Sequence, residues 1–138
     1  MLNVCAHPHS DPWSIVSLAY LLRYPNPFST HILSCDVISR EVMPSGSLLT
    51  TRLILKTGSL PRWAPKNIVQ RAESWVIEES EVDPLGKVMR CTTKNLDHVK
   101  VMRVEEHVHI RQTEDGYVLF LKQNGRGRAR RAETSRVS

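Results

Sequence analysis

Cysteine is scarce in this chain, and the placement of its three residues excludes several protein classes. Cys5, Cys35 and Cys91 stand far apart and form no Cys-x-x-Cys pair. An odd number of isolated cysteines fits neither a disulfide framework nor a zinc knuckle. We therefore expect free thiols and no cysteine-bound metal.

Long apolar runs are also absent. Hydrophobic residues make up 41% of the 138 residues, and no run approaches the length needed to cross a bilayer. The initial segment MLNVCAHPHSDPW has neither the regions of a secretory signal peptide nor the arginine-rich amphipathic pattern of a presequence. We expect one soluble domain without a cleavable leader.

Catalytic signatures are missing as well. The sequence contains no GxSxG, P-loop or HExxH pattern, and no grouping of Ser, His and Asp with the spacing of a triad. Two pairs of histidines, His7 with His9 and His107 with His109, lack further ligands spaced to complete a metal site. We expect surface histidines, no metal, no cofactor and no enzymatic activity.

The net charge of +5 is concentrated near the C-terminus. Six of the 19 Lys and Arg residues, but one of the 14 Asp and Glu residues, lie from position 122 onwards. This tail offers too little apolar surface to offset the entropy of ordering it. We expect residues 122–138 to be disordered. Nucleic-acid binding by GRGRARR is the less favoured interpretation, because no aromatic stacking platform accompanies it.

The chain does contain one helical pattern followed by strands. Apolar residues recur at helical spacing from Pro12 to Leu22, and Ser10 or Asp11 is placed to cap the helix. Three pairs of segments with strand chemistry then flank the turn sequences MPSGS, DPLG and TEDG. This order predicts an α+β fold with an antiparallel sheet.

One segment, GSLPRWAPKNIVQRAE, interrupts the strand pattern. It combines Leu60 and Trp63 with the cations Arg62, Lys66 and Arg71. Tryptophan tolerates the headgroup zone of a membrane and cations attract anionic lipid, so the segment suits an interfacial contact. On composition alone, packing of Trp63 over the sheet edge is an equally good interpretation.

Four segments of the chain share one family resemblance: RYPNPFSTHILSCDVISREV, LLTTRLILKTGSLPRW, SWVIEESEVDPLGKVM and TTKNLDHVKVMRVEE. In order and spacing they resemble the PRELI family of mitochondrial intermembrane-space lipid-transfer proteins. The likeness extends roughly from Asp11 to Ile110. The motifs RYPNP, NLDH followed by VEE, and LPRW are most similar to the phosphatidic-acid-transferring branch.

The resemblance implies a helix-grip-like lipid cup, with a curved antiparallel sheet and a helix on its concave face. The loop from Leu60 to Arg71 would be the lid of the cup. The positions that match the family's headgroup-binding residues are Arg23, His31 and Lys56.

The resemblance also implies a function and partners. We expect binding of phosphatidic acid and its transfer between mitochondrial membranes across the intermembrane space, in support of cardiolipin synthesis. The expected partners are an anionic membrane surface and a small helical protein with twin Cys-x9-Cys motifs, and no nucleic acid. Met102 matches a cavity-lining position, although by itself a methionine on a strand usually belongs to an ordinary core.

The residues alone leave the role of Arg23 open. A cation at the end of a helix can meet a phosphate, or it can pair with a local carboxylate such as Asp36. Strand alternation places Lys56 on the same face as Arg52, but only Lys56 matches the family's headgroup position. Neutral His31 would bind an anion weakly, although a nearby phosphate would favour its protonation.

The chain departs from the family pattern after EEHVHIRQTEDG. Family members continue with a strand and a long amphipathic helix that covers the cavity, whereas this chain continues YVLFLKQNGRGRARRAETSRVS. We therefore expect a lipid-binding domain over residues 1–121 that lacks the closing helix, followed by the basic tail. The alternative function is an interaction or membrane-associating protein that carries no lipid.

Overall fold

A computed structural model shows an antiparallel sheet with a helix on one face, and it describes residues 2–58, 72–97, 99 and 102–128. The elements, in chain order, are β1 (Leu2–His9), α1 (Trp13–Leu21), β2 (Ile32–Val42), β3 (Leu48–Gly58), β4 (Ala72–Asp83), β5 (Val88–Asn95), β6 (Met102–Gln112) and β7 (Val118–Arg128).

The seven strands form one curved sheet in the order β1-β7-β6-β5-β4-β3-β2. The three hairpins expected from MPSGS, DPLG and TEDG are present as β2–β3, β4–β5 and β6–β7. The structure thus confirms the α+β fold class. It adds β1, a strand that the sequence did not predict, which pairs with β7 and becomes one edge of the sheet.

The start of α1 corrects one expectation. Two backbone N–H groups of its first turn donate to the carbonyl oxygen of Pro12 at 3.0 and 3.1 Å. The expected capping by Ser10 or Asp11 is wrong, because Pro12 itself occupies the N-cap position and no side chain caps the helix. Of the helices within the described residues, none has the length and apolar character to cross a bilayer.

The end of the sheet corrects another expectation. Residues 122–128 continue β7 and are not disordered. Lys122, for example, pairs with Val108 in β6 and with Cys5 in β1. Backbone pairing, with both β1 and β6 up to Gly125 and with β6 alone beyond it, orders a segment whose side chains bury little apolar surface. Residues 129–138 of the expected tail lie outside the described residues.

The helix packs on what we call the inner face of the sheet. Trp13 is 7% exposed, and its Nε1 donates a hydrogen bond to the carbonyl oxygen of Ile110 at 3.1 Å. This side chain anchors the apolar core, because its ring is buried and its N–H group has a hydrogen-bond partner. The buried core residues are Trp13, Met89, Cys91, Val108, Ile110 and Val118.

Two of the three cysteines have described side chains, and both are free thiols as expected. Cys35 is half-buried and Cys91 is buried, and both are free. The side chain of Cys5 lies outside the described part of the structure.

Candidate functional site: a buried charge cluster

Strand alternation places the side chain of Arg52 on the inner face of the sheet. On β3, Thr50, Arg52 and Ile54 are buried, whereas the residues between them are only partly covered. The register of β3 and β4 places Arg52 directly opposite Glu78, whose exposed fraction is 0%. A carboxylate removed from water is costly unless it is paired and hydrogen-bonded.

Two arginines satisfy that carboxylate. Oε1 of Glu78 accepts hydrogen bonds from Nε of Arg52 at 2.8 Å and from its Nη2 at 2.5 Å. Oε2 of Glu78 accepts a hydrogen bond from Nη2 of Arg23, which follows the end of α1. We call Arg23, Arg52 and Glu78 the buried charge cluster. Two guanidinium groups against one carboxylate leave it with a net charge of +1.

Arg23 is the more accessible cation of the cluster. Its side chain is 23% exposed, against 9% for Arg52. Its guanidinium carbon lies 3.9 Å from the ring centroid of Tyr20 and 4.7 Å from that of Tyr24. Burial alone lowers the pKa of Arg23, but the adjacent Tyr20 and Glu78 groups outweigh burial and raise this pKa, so the guanidinium stays charged.

The other two expected headgroup residues meet at one end of the β2–β3 hairpin. Lys56 pairs with Ile32, and the backbone N–H of Thr57 donates to the carbonyl oxygen of His31 at 2.8 Å. Lys56 is half-buried and His31 is exposed. Lys56 lies on the inner face about 13 Å along β3 from Arg52, since a strand rises about 3.3 Å per residue.

Tyr24 connects this end of the hairpin with Arg23. The Tyr24 ring lies edge-on to the His31 ring, with 6.3 Å between the centroids, and Arg23 lies over the same Tyr24 ring. Tyr24 thus links Arg23 with His31, and Lys56 lies at the end of β3 whose backbone contacts His31.

The structure also shows what sequence reasoning missed. Arg23 does pair with a carboxylate, but the partner is Glu78 and not Asp36. Arg52 was noted only as a face neighbour of Lys56, and Glu78 was not singled out. Alternation along β3 was a signal for Arg52. Glu78 carried none, because three glutamates stand together in EESEV and only the register with β3 distinguishes them.

Several expected site residues cannot be placed in this geometry. The lid residues Leu60, Arg62, Trp63, Lys66 and Arg71 lie outside the described residues. Met102 begins β6, but its side chain is outside the described part of the structure.

The buried charge cluster has a net positive charge, which attracts anions. Among the residues that the structure describes, no group of three or more His, Cys, Asp or Glu side chains is placed to hold a metal. Burial, and secondarily the charge of Glu78, raises the pKa of the nearby Cys91 thiol to about 11, which makes it a poor nucleophile. A charged, partly accessible arginine remains as the group that can bind a ligand.

Comparison with known proteins identifies a family. The PRELI-like family matches residues 14–128. The chain is similar to Protein UPS1, mitochondrial, of Saccharomyces cerevisiae, with 44% identity over 107 residues, which are 78% of this chain and 61% of the yeast protein. It is 43% identical over 98 residues to PRELI domain-containing protein 1, mitochondrial, of Homo sapiens, covering 68% of this chain and 44% of the human protein.

Among solved structures, ginseng major latex-like protein 151 matches 91% of this chain and 79% of its own, with a TM-score of 0.49 and 14% identity. That likeness is too distant to carry an argument. The family match extends over most of the chain, although the chain spans less than two thirds of the yeast relative. On the family match and these identities, the chain belongs to the PRELI-like family.

Proposed function

We propose that this chain binds phosphatidic acid and transfers it between mitochondrial membranes across the intermembrane space, in support of cardiolipin synthesis. The step is physical, since the protein only lowers the barrier for a lipid to leave a membrane. The observation that carries the proposal is a net-positive buried cluster at Arg23 in a PRELI-like chain. The yeast and human relatives are both named as mitochondrial.

A phosphate monoester suits this site on charge and geometry. Such a group carries between one and two negative charges near neutral pH and offers several strong acceptor oxygens. The Arg23 guanidinium is held between two tyrosine rings, so its planar donors are oriented before the ligand arrives. Lys56 and His31 add donors at the neighbouring end of the hairpin.

The remaining parts of the proposal concern the membrane, the partner and the domain. We assign the lid and the membrane contact to Leu60, Arg62, Trp63, Lys66 and Arg71. We assign acyl-chain contact to Met102, and retention in the intermembrane space to a small twin Cys-x9-Cys partner. We assign the lipid-binding domain to α1 and the seven strands of the sheet.

The test is extraction of phosphatidic acid from liposomes by Lys56→Glu, with Arg103→Glu as the matched control. Arg103 is exposed, and strand alternation places it on the outer face of β6, so the control makes the same charge change away from the site. Lys56→Glu should abolish extraction, because repulsion replaces attraction to the phosphate. Arg103→Glu should extract as well as the parent chain.

Equal extraction by both variants would refute the site assignment. Arg23→Glu is a poorer test, because it would set a second carboxylate beside buried Glu78 and disrupt the fold.

A second candidate function is association with a protein or membrane without lipid carriage. Ile15 and Leu18 of α1 and its C-cap residue Leu22 lie on one outward side of the helix and are 54%, 50% and 66% exposed. Exposed apolar surface of this kind is typical of interaction sites. Analysis of lipid that co-purifies with the chain separates the two candidates, since only a carrier should retain phosphatidic acid.

A further inference from the structure

The buried charge cluster contains a group that an anion site does not need. Glu78 is fully buried on the inner face, between Val76 and Ser80 on the same face of β4. Its negative charge opposes the attraction that Arg23 and Arg52 would exert on a phosphate. A site selected only for tight anion binding would leave this carboxylate out.

The hydrogen bonds show how Glu78 divides the two cations. Arg52 donates hydrogen bonds from Nε and Nη2 to Glu78, and from Nη1 to the carbonyl oxygen of Leu21 at 3.1 Å. All three nitrogens of its guanidinium group therefore have a partner. Arg23 donates a hydrogen bond from Nη2 to Glu78 and another from Nη1 to the carbonyl oxygen of Tyr20 at 2.9 Å. Glu78 thus fixes the position of both guanidinium groups.

We propose that Glu78 is the resident counter-ion of the lipid site. It positions Arg23 and Arg52 and limits the net charge of the cluster to +1. This inference rests on the proposed function and concerns the strength of binding at the same site. A carrier must extract its lipid and also release it, so a counter-ion that weakens headgroup binding favours turnover.

The proposal predicts a dependence on ligand charge. Coulomb energy scales with the charge of the ligand, so removal of the Glu78 charge should strengthen binding of a phosphate monoester dianion more than that of a neutral zwitterionic headgroup. A purely structural Glu78 predicts the opposite, because its loss would release the guanidinium groups and weaken binding of every ligand.

The experiment compares Glu78→Gln with the double variant Arg52→Gln/Glu78→Gln. Glutamine keeps the shape and one acceptor oxygen of Glu78 while it removes the charge. The single variant raises the net charge of the cluster to +2, and the double variant restores +1. Calorimetric titration at pH 8 uses dihexanoyl phosphatidic acid as the anionic probe and dihexanoyl phosphatidylcholine as the zwitterionic probe.

We expect Glu78→Gln to bind the anionic probe on the order of tenfold more tightly than the parent chain. The double variant should return to the parent affinity within about threefold, and the zwitterionic probe should not discriminate among the three chains. Circular dichroism checks that each chain is folded. Should Glu78→Gln fail to fold, the double variant decides, because it has the parent charge without the ion pair.

Three outcomes would overturn the inference. The first is a folded Glu78→Gln that binds the anionic probe no more tightly than the parent chain. The second is a folded double variant that has lost binding, which would show that the geometry of the pair matters and its charge balance does not. The third is a parent chain that does not bind the probe, which would refute the proposed function itself.

Discussion

The inner face of the sheet has two halves, and the residues at their centres are buried for opposite physical reasons. The apolar half lies under the start of α1, where Trp13 packs with side chains of β5, β6 and β7. The charged half lies under the end of α1, where Arg23 and Arg52 meet Glu78. Apolar packing and charge pairing thus lie at opposite ends of one short helix.

The two halves differ in what keeps them closed. Removing apolar surface from water is favourable without any specific partner, so the apolar half is stabilised by burial itself. Burial of Glu78 is unfavourable by itself and persists because two arginines satisfy its oxygens. The apolar half should respond to lost volume, and the charged half to lost charge balance.

The largest effect should come from opening the apolar half. Trp13→Ala removes a buried indole and its hydrogen bond to Ile110, and should lower the free energy of unfolding by about 3–5 kcal/mol. Ile15→Ala, on the exposed side of the same helix, should cost less than about 1 kcal/mol. Urea unfolding followed by circular dichroism measures both, and equal losses would contradict the placement of the core.

The charged half should respond to the loss of one partner. Arg52→Ala leaves Glu78 with a single arginine and should lower the free energy of unfolding by about 3 kcal/mol. The control is Lys94→Ala, which removes a 3.9 Å pair with Glu105 whose side chains are 50% and 44% exposed. Lys94→Ala should lower the free energy of unfolding by less than about 0.5 kcal/mol. An equally small decrease for Arg52→Ala would mean that water solvates the cluster.

Cys91 lies in the apolar core, and the charge of Glu78 also affects its pKa. The reactivity of this thiol therefore reports on both halves. Burial, followed by the charge of Glu78, raises its pKa to about 11. At pH 8 the native thiol should contain on the order of a hundredfold less thiolate than in the unfolded chain. Alkylation by iodoacetamide, followed by peptide mass spectrometry, should therefore leave Cys91 unmodified until urea is added. Rapid native modification of Cys91 would contradict its burial.

The smallest effect concerns His109 on the outer face, away from both halves. Burial, and then Arg90 and Arg111, lower the pKa of His109 below its usual 6.5. The unfolded chain therefore binds this proton more readily. The contribution of His109 is present above pH 6.5 and is lost as the pH falls through its lower folded-state pKa. His109→Gln should flatten the decline in urea stability below pH 6.5, and an unchanged slope would contradict this assignment.

The sequence predicted the parts of the fold that local chemistry determines. Turn sequences such as DPLG and TEDG specify hairpins by themselves, and apolar spacing specifies α1. The missed strand β1 contains the sequence His7-Pro-His, and its partner β7 includes Gly125 and Gly127. Neither strand has a clear alternating pattern, and β1 is ordered by backbone pairing with β7, which is distant from it in sequence.

The candidate site was predictable only in part, for a related reason. Resemblance to a family supplied Arg23, His31 and Lys56, and strand alternation pointed Arg52 inwards. The pairing of Arg52 with Glu78 depends on the register between β3 and β4. Residues 59–71 separate these two strands, so no tight turn fixes that register and sequence alone does not reveal it.

The most direct test of the account is an NMR titration of the isotope-labelled chain with dihexanoyl phosphatidic acid. We expect the amide resonances of Glu78, in the charged half, and of Ile32 and Lys56, at the end of the β2–β3 hairpin, to shift with the lipid. Those of Ile110 and Val118, in the apolar half under Trp13, should move much less, because the helix already covers them. Shifts centred on the apolar half, or no shifts at saturating lipid, would contradict the claim that the buried charge cluster is the headgroup site.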